Sequence, residues 1–153
     1  MQLPEDFREF IELMISANVR FVMIGGYAYN LYRNPRATGD IDFLVLNSED
    51  NDVKLRDVFE KFGFGSALPP VDEPLLVPNK VLMLGRTPMR IDVLTEIDGV
   101  TFEQVELTCR RFLLDGLAVP VISPEMLLLN KIAYARPKDL LDAGELRIWL
   151  DNL

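Results

Sequence analysis

Two aspartates two residues apart sit in the segment Arg36-Ala37-Thr38-Gly39-Asp40-Ile41-Asp42-Phe43, downstream of a glycine pair, Gly25-Gly26-Tyr27-Ala28. On a strand, residues i and i+2 point to the same face, so the carboxylates of Asp40 and Asp42 can share a divalent metal ion. A glycine pair lets the backbone come close to phosphate oxygens. Together these features describe a site that takes a nucleotide out of a nucleoside triphosphate. A third acid, Asp92 in Arg90-Ile91-Asp92-Val93-Leu94, lies on another predicted strand and can complete the metal cluster. Its role there would be general base, drawing the proton from an attacking hydroxyl while helping to hold the metal.

Each residue also has a purely structural explanation. Acids at a solvent-facing strand edge are harmless, but Ile41, Phe43, Leu44, Val45 and Leu46 make this strand strongly apolar and central. Two carboxylates on one face of a central strand repel each other unless a cation lies between them. Asp92 next to Arg90 can be a salt-bridged surface residue. Gly25 and Gly26 can be a tight turn. Arg36 and Thr38 either touch the nucleotide or brace the loop before Asp40.

A third constellation runs from Lys131 to Asp142, Lys-Ile-Ala-Tyr-Ala-Arg-Pro-Lys-Asp-Leu-Leu-Asp, and concentrates cations in an acidic chain. Lys131 and Arg136 sit near a helix end, where cations are favoured in any case. The functional alternative has Lys131 neutralising a triphosphate, with Arg136 or Lys138 on phosphate or on the second substrate. Asp139 and Asp142 lie one helical turn apart and are placed to orient these cations.

Composition limits the chemistry. The chain has 153 residues, the size of one domain, expected over 1–153, and buries roughly 70% of its unfolded surface. A single cysteine, Cys109, excludes an internal disulfide and a CxxC zinc site, and the absence of histidine excludes Ser-His-Asp and Cys-His mechanisms. A metal here is a hard cation on carboxylates, Mg²⁺ first, with Mn²⁺ as its substitute. The net charge of −8 argues against a broad nucleic-acid surface but leaves room for a local basic strip from Arg33, Arg36, Arg136 and Lys138. No apolar run is long enough to span a bilayer and the acidic N-terminus is unlike a signal peptide, so the expected compartment is the cytoplasm.

The elements that must position these residues follow from pattern. Pro4 to Ala17 reads as an amphipathic helix with Phe7, Phe10, Ile11 and Met14 on one face. Arg20 to Ile24 reads as a buried strand and Gly26 to Arg33 as a short helix, a strand–glycine turn–helix unit that aims N–H groups at an anion. Asp40 to Leu46 is the second strand, and Ser48 caps a helix bearing Leu55, Val58, Phe59 and Phe62, stopped near Gly63. The proline-rich stretch from Gly63 to Pro78 is a loop, bordering the substrate or merely connecting. Lys80–Leu84 with Met89–Leu94, and Arg111–Leu114 with Leu117–Val121, read as hairpins. Ser123-Pro124-Glu125 starts a helix to about Ala135, and Pro137 starts the last. The expected order is α-β-α-β-α-β-β-β-β-α-α, an α/β (α+β) fold with a mixed sheet and helices packed against it. Tyr27, Tyr29 and Tyr32 read as core packing, Cys109 as buried filler, and Trp149 as a hint of a homo-oligomer.

The sequence resembles the nucleotidyltransferase superfamily of DNA polymerase beta, in which a glycine pair precedes Asp-h-Asp and a later strand bears a third acid. More narrowly, Gly25-Gly26-Tyr27-Ala28, Arg36-x-Thr38-Gly39-Asp40-Ile41-Asp42 and Lys131-x-x-Ala133-x-Arg136-x-Lys138-Asp139-x-x-Asp142 look like the abortive-infection-type nucleotidyltransferase toxins and their small stand-alone relatives. The resemblance covers about Phe21 to Asp142. It implies a minimal nucleotidyltransferase fold and two-metal transfer of a nucleoside monophosphate from an NTP. By that analogy Asp40 and Asp42 hold both metals, Asp92 completes the site and activates the acceptor, and Lys131 contacts the triphosphate. The acceptor implied is tRNA or a protein side chain, with an antitoxin as partner and no membrane. A second glycine stands where many superfamily members have serine, so phosphate contact would be through backbone alone. The chain ends soon after the last motif, so no large separate acceptor-binding domain is expected. The alternative is a non-catalytic nucleotidyltransferase-like module for nucleotide binding or protein interaction. An Asp-x-Asp phosphohydrolase is weaker, because here the acids open a strand, whereas a nucleophilic aspartate usually follows one.

Overall fold

In the computed structural model, which describes residues 2–33 and 38–153, six strands form one mixed sheet flanked by six α-helices. The chain runs α1 (Glu5–Ser16), β1 (Phe21–Ile24), α2 (Gly25–Tyr32), β2 (Ile41–Val45), α3 (Glu49–Lys61), then a short 3-10 turn at Gly65–Ala67. It continues through β3 (Val81–Leu84), β4 (Ile91–Leu94), α4 (Phe102–Thr108), β5 (Arg110–Leu114), β6 (Leu117–Val121), α5 (Pro124–Tyr134) and α6 (Pro137–Asp151). The expected mixed α/β architecture is therefore the observed one.

One element departs from the expected order. Phe102–Thr108 is a helix, capped by a box in which Thr101 and Gln104 exchange side-chain and backbone hydrogen bonds. The Thr-x-x-Gln spacing carries this signal, but a seven-residue helix is too short for its hydrophobic period to register.

The sheet order is β3-β4-β2-β1-β6-β5. At its centre β2 runs antiparallel to β1 and parallel to β4. The register sets Asp42 directly across from Ile24 on one side and from Asp92 on the other. Strand neighbours in register point to the same face, so the topology alone places the Asp42 and Asp92 side chains next to each other.

The opposite face of β2 is core. Phe43 packs against Phe10 of α1 and Phe21 of β1, and Phe10 also meets Phe59 and Phe62 at the end of α3. Phe7, Phe10, Ile11 and Met14 are fully buried, as the spacing on α1 requires. With Phe43 anchored below, alternation sends Asp42 to the other face. Asn51 of α3 locks this layer: its side chain donates to the Arg20 and Leu46 carbonyls and accepts from the Arg20 N–H.

The tyrosines of α2 pack as expected. Tyr27 meets Phe7 edge-on, and Tyr32 lies between Phe112 and Trp149. Trp149 is thus part of the packing of α6 onto α2. Among the described residues, no helix is long and apolar enough to cross a membrane.

Candidate active site

A cavity of about 540 Å³ opens at the carboxyl end of β1 and the amino ends of β2 and β4. It is lined by Gly25, Gly26, Thr38, Asp40, Asp42, Asp92, Lys131, Arg136 and Lys138, together with Arg90, Asn130, Tyr134 and Asp139. Residues from four separate stretches of sequence therefore meet in one concavity. Arg36, expected beside Thr38, lies outside the described residues.

Gly25 has a role that the sequence did not reveal. Its φ is +73°, and a Cβ at that position would come within 2.2 Å of Asp42 Oδ2. The glycine leaves room for a carboxylate that lies against the turn. Gly26 faces Thr38 instead, where a Cβ would lie 2.8 Å from Thr38 Oγ1. Thr38 also reaches the Asp40 carbonyl at 3.5 Å, so it braces the loop onto the glycine turn.

Asp42 and Asp92 face each other across β2 and β4, and Asp92 is only 7% exposed. Burial pushes the Asp42 carboxyl up to about 7, and the charge of Asp92, a shared hydrogen bond with it, and Asp40 push the same way; Arg90 opposes them. Three carboxylates that share one arginine are short of positive charge. That donor set fits a hard divalent cation.

Asp40 is turned differently. Its Oδ2 accepts from the Thr87 hydroxyl at 3.1 Å, and its Oδ1 accepts from the Arg90 backbone N–H at 3.1 Å. The three carboxylates line one cavity, but among the described residues no group of three acids converges closely enough to hold a metal. The reason is on the β3–β4 turn: the Arg90 guanidinium donates to both Asp92 oxygens, at 2.7 and 3.0 Å, and lies 3.5 Å from Asp40 Oδ2. The salt-bridged explanation of Asp92 is thus realised in the same residue that faces Asp42.

The cationic wall comes from the elbow between α5 and α6. Lys131 is buried, with its Nζ 2.7 Å from Asp142 Oδ2 and 3.7 Å from Asp139 Oδ1, over the Tyr29 ring. Arg136 bonds Asp139 and covers the Tyr134 ring, while most of its side chain stays exposed. Burial alone would raise the Asp139 carboxyl, but the Arg136 hydrogen bond and the charges of Arg136, Lys131 and Lys138 outweigh it and hold it low. Asp142 pairs with Lys131, and Asp139 pairs with Arg136 and also lies near Lys131. The elbow turns at Ala135, which has a left-handed φ of 56°.

Arg90, Asn130 and Tyr134 are cavity residues that the sequence did not single out as site residues. Asn130 gives its amide to the Asp98 carbonyl at 2.9 Å. A helical offset of one from Lys131 was the available signal for Asn130, and Arg90 was legible only as a charge two residues from Asp92.

Comparison with known proteins gives a family and a fold. The family model described as nucleotidyl transferase AbiEii toxin, type IV TA system, matches residues 16–147. The antibiotic-resistance factor ANT(2'')-Ia superposes with a TM-score of 0.60 at 14% identity, over 95% of this chain and 82% of that one. A putative nucleotidyltransferase from Thermotoga maritima gives 0.56 at 16%, over 96% and 91%. The lincosamide antibiotic adenylyltransferase LnuA gives 0.58 at 14%, over 95% and 96%. At these identities the structures speak for a shared fold. Comparison with curated proteins gave no match.

Proposed function

This chain belongs to the AbiEii nucleotidyltransferase family, and we propose that it catalyses Mg²⁺-dependent transfer of a nucleoside monophosphate from an NTP to a hydroxyl of tRNA or protein. The observation that carries the reading is the Asp42–Asp92 pair, in register on adjacent parallel strands and lying against Gly25 in the cavity. Asp40, Asp42 and Asp92 are the residues that would hold Mg²⁺, with Mn²⁺ as a substitute, and the bound ion supplies charge neutralisation on the triphosphate.

The chain's own groups do the remaining work. The first N–H groups of α2, which starts at Gly25, have no helical acceptors and are available to phosphate oxygens. Lys131 contributes positive potential from the wall, and the exposed Arg136 and Lys138 meet phosphate or acceptor at the mouth. Asp92 accepts the proton of the acceptor hydroxyl at a carboxylate oxygen. The acceptor oxygen bonds to the α-phosphorus, the bond to the β-phosphate bridge breaks, and pyrophosphate leaves. A net charge of −8 confines any RNA to this cationic mouth.

Calorimetric titration of each NTP, with Mg²⁺ and with EDTA, into wild type and Asp42→Asn tests the site. Mg²⁺-dependent binding that the variant weakens is expected, followed by label transfer from the preferred NTP to tRNA or protein. Full transfer by a folded Asp42→Asn protein would sink the reading. The toxin role and its antitoxin are part of the same proposal: expression should arrest growth, and Asp42→Asn should relieve the arrest.

The pairing of Arg90 with Asp92 favours one second reading, a nucleotide-binding module without turnover. Tight NTP binding without pyrophosphate release would select it.

A further inference from the structure

We propose that Arg90 is a built-in counter-ion of the acid cluster, which closes it to divalent metal until nucleotide arrives. The inference rests on the nucleotidyl-transfer reading of this site.

Both outer carboxylates are held by one short turn. The Arg90 guanidinium grips Asp92 through Nε and a terminal nitrogen, at 2.7 and 3.0 Å, and reaches Asp40 at 3.5 Å. The same residue's backbone N–H and the Thr87 hydroxyl take the two oxygens of Asp40, each at 3.1 Å. Another guanidinium nitrogen lies 3.3 Å from the Thr87 hydroxyl, tying Arg90 back to its own turn. Gly39 lets the turn approach, since a Cβ there would lie 2.2 Å from the Pro88 carbonyl oxygen.

A guanidinium is planar and forks onto a carboxylate through two parallel bonds. On Asp92 it occupies the oxygens that a metal would need. On Asp40 the turn engages both oxygens, through the Thr87 hydroxyl and the Arg90 backbone N–H. One guanidinium thus offsets part of the cluster's charge without metal, and a bare divalent cation gains less by displacing an arginine already in place. A metal–triphosphate complex changes that balance, because the phosphates offer Arg90 a new anionic partner within the same cavity. The Arg90 side chain is 29% exposed, so it has room to swing. Arg90 is therefore a positioning residue that makes metal and nucleotide bind together.

The test is calorimetric titration of Mn²⁺, without nucleotide, into wild type, Arg90→Gln, Arg90→Lys and Asp42→Asn, with folding checked by circular dichroism. Wild type should bind Mn²⁺ alone weakly, Arg90→Gln roughly 5- to 10-fold more tightly, and Arg90→Lys in between. Asp42→Asn should lose the site. A merely structural Arg90 would change thermal stability and leave metal affinity where it was. Equal Mn²⁺ affinity in wild type and folded Arg90→Gln overturns the inference while leaving the transfer reading intact, provided wild type binds Mg²⁺–NTP. If Arg90→Gln does not fold, Arg90→Lys decides: unchanged affinity overturns the inference and tighter binding supports it. No metal binding in any protein, with or without NTP, overturns both.

Discussion

Asp42 is the residue on which charge, burial and geometry converge. Its carboxyl is raised because it is buried beside Asp92 and Asp40. An acid whose folded-state value lies above its unfolded one binds its proton more tightly when folded. The metal-free protein should therefore lose stability as pH rises from about 4 to about 7. Thermal melts in EDTA should fall by roughly 5–10 °C across that window, and Asp42→Asn should flatten the slope. Saturating Mg²⁺ with NTP should also flatten it, since the ionised carboxylate then has a partner. Gly25 belongs to the same local geometry. Gly25→Ala places a methyl group on Asp42 Oδ2 at a positive φ, and should cost roughly 1–3 kcal/mol and weaken NTP binding. Gly26→Ala meets the Thr38 side chain without a positive φ and should be milder in urea melts. If both variants lose nucleotide affinity with no loss of stability, the glycines serve phosphate approach alone.

Among the elements, the elbow between α5 and α6 matters most after the sheet. Lys131 is sealed between Asp142, Asp139 and the Tyr29 ring, which joins α5, α6 and α2. Removing one partner of a buried ion pair leaves the other uncompensated. Lys131→Met should therefore destabilise by about 3 kcal/mol, read as a lower urea midpoint, and the loss should shrink when Asp142→Leu is added. An unchanged midpoint would mean that Lys131 is held for substrate and not for the fold. Helix α4 shows how a short element depends on its cap: Thr101→Ala should cost about 1 kcal/mol through loss of the box. Its signal was present in the sequence as Thr-x-x-Gln, but the apolar period over seven residues could not be told from a loop. The long helices, by contrast, were legible because Phe7, Phe10, Ile11 and Met14, or Leu55, Val58 and Phe59, repeat over several turns.

For the whole molecule, the cavity is assembled by order in the sheet. Strand β4 reaches β2 only after α3 and β3, and β6 closes the other side, bringing α5 beside the site. A ligand that bridges these elements stabilises all of them at once. Mg²⁺ with the preferred NTP at about 100 times its Kd should add roughly 2.7 kcal/mol, raising Tm by about 5–10 °C, and EDTA should reverse it. The acidic surface makes high salt a further lever: RNA binding at the mouth should weaken with salt.

From sequence alone came the chemistry and the parts: Asp40 and Asp42 two residues apart, the glycine turn, the later Asp92, a cation block with its own acids, and strands or helices long enough to show their period. Those are local properties, set by side-chain type and by spacing along one element. Tertiary structure decided which of these groups touch. Only the parallel register of β2 and β4 puts Asp42 beside Asp92, and only the fold lays Asp42 over Gly25. The two claims of Arg90, on Asp92 and on Asp40, arise the same way. Spacing cannot encode such contacts, because they depend on strand order and on how far a turn folds back, quantities set by the packing of residues distant in the chain.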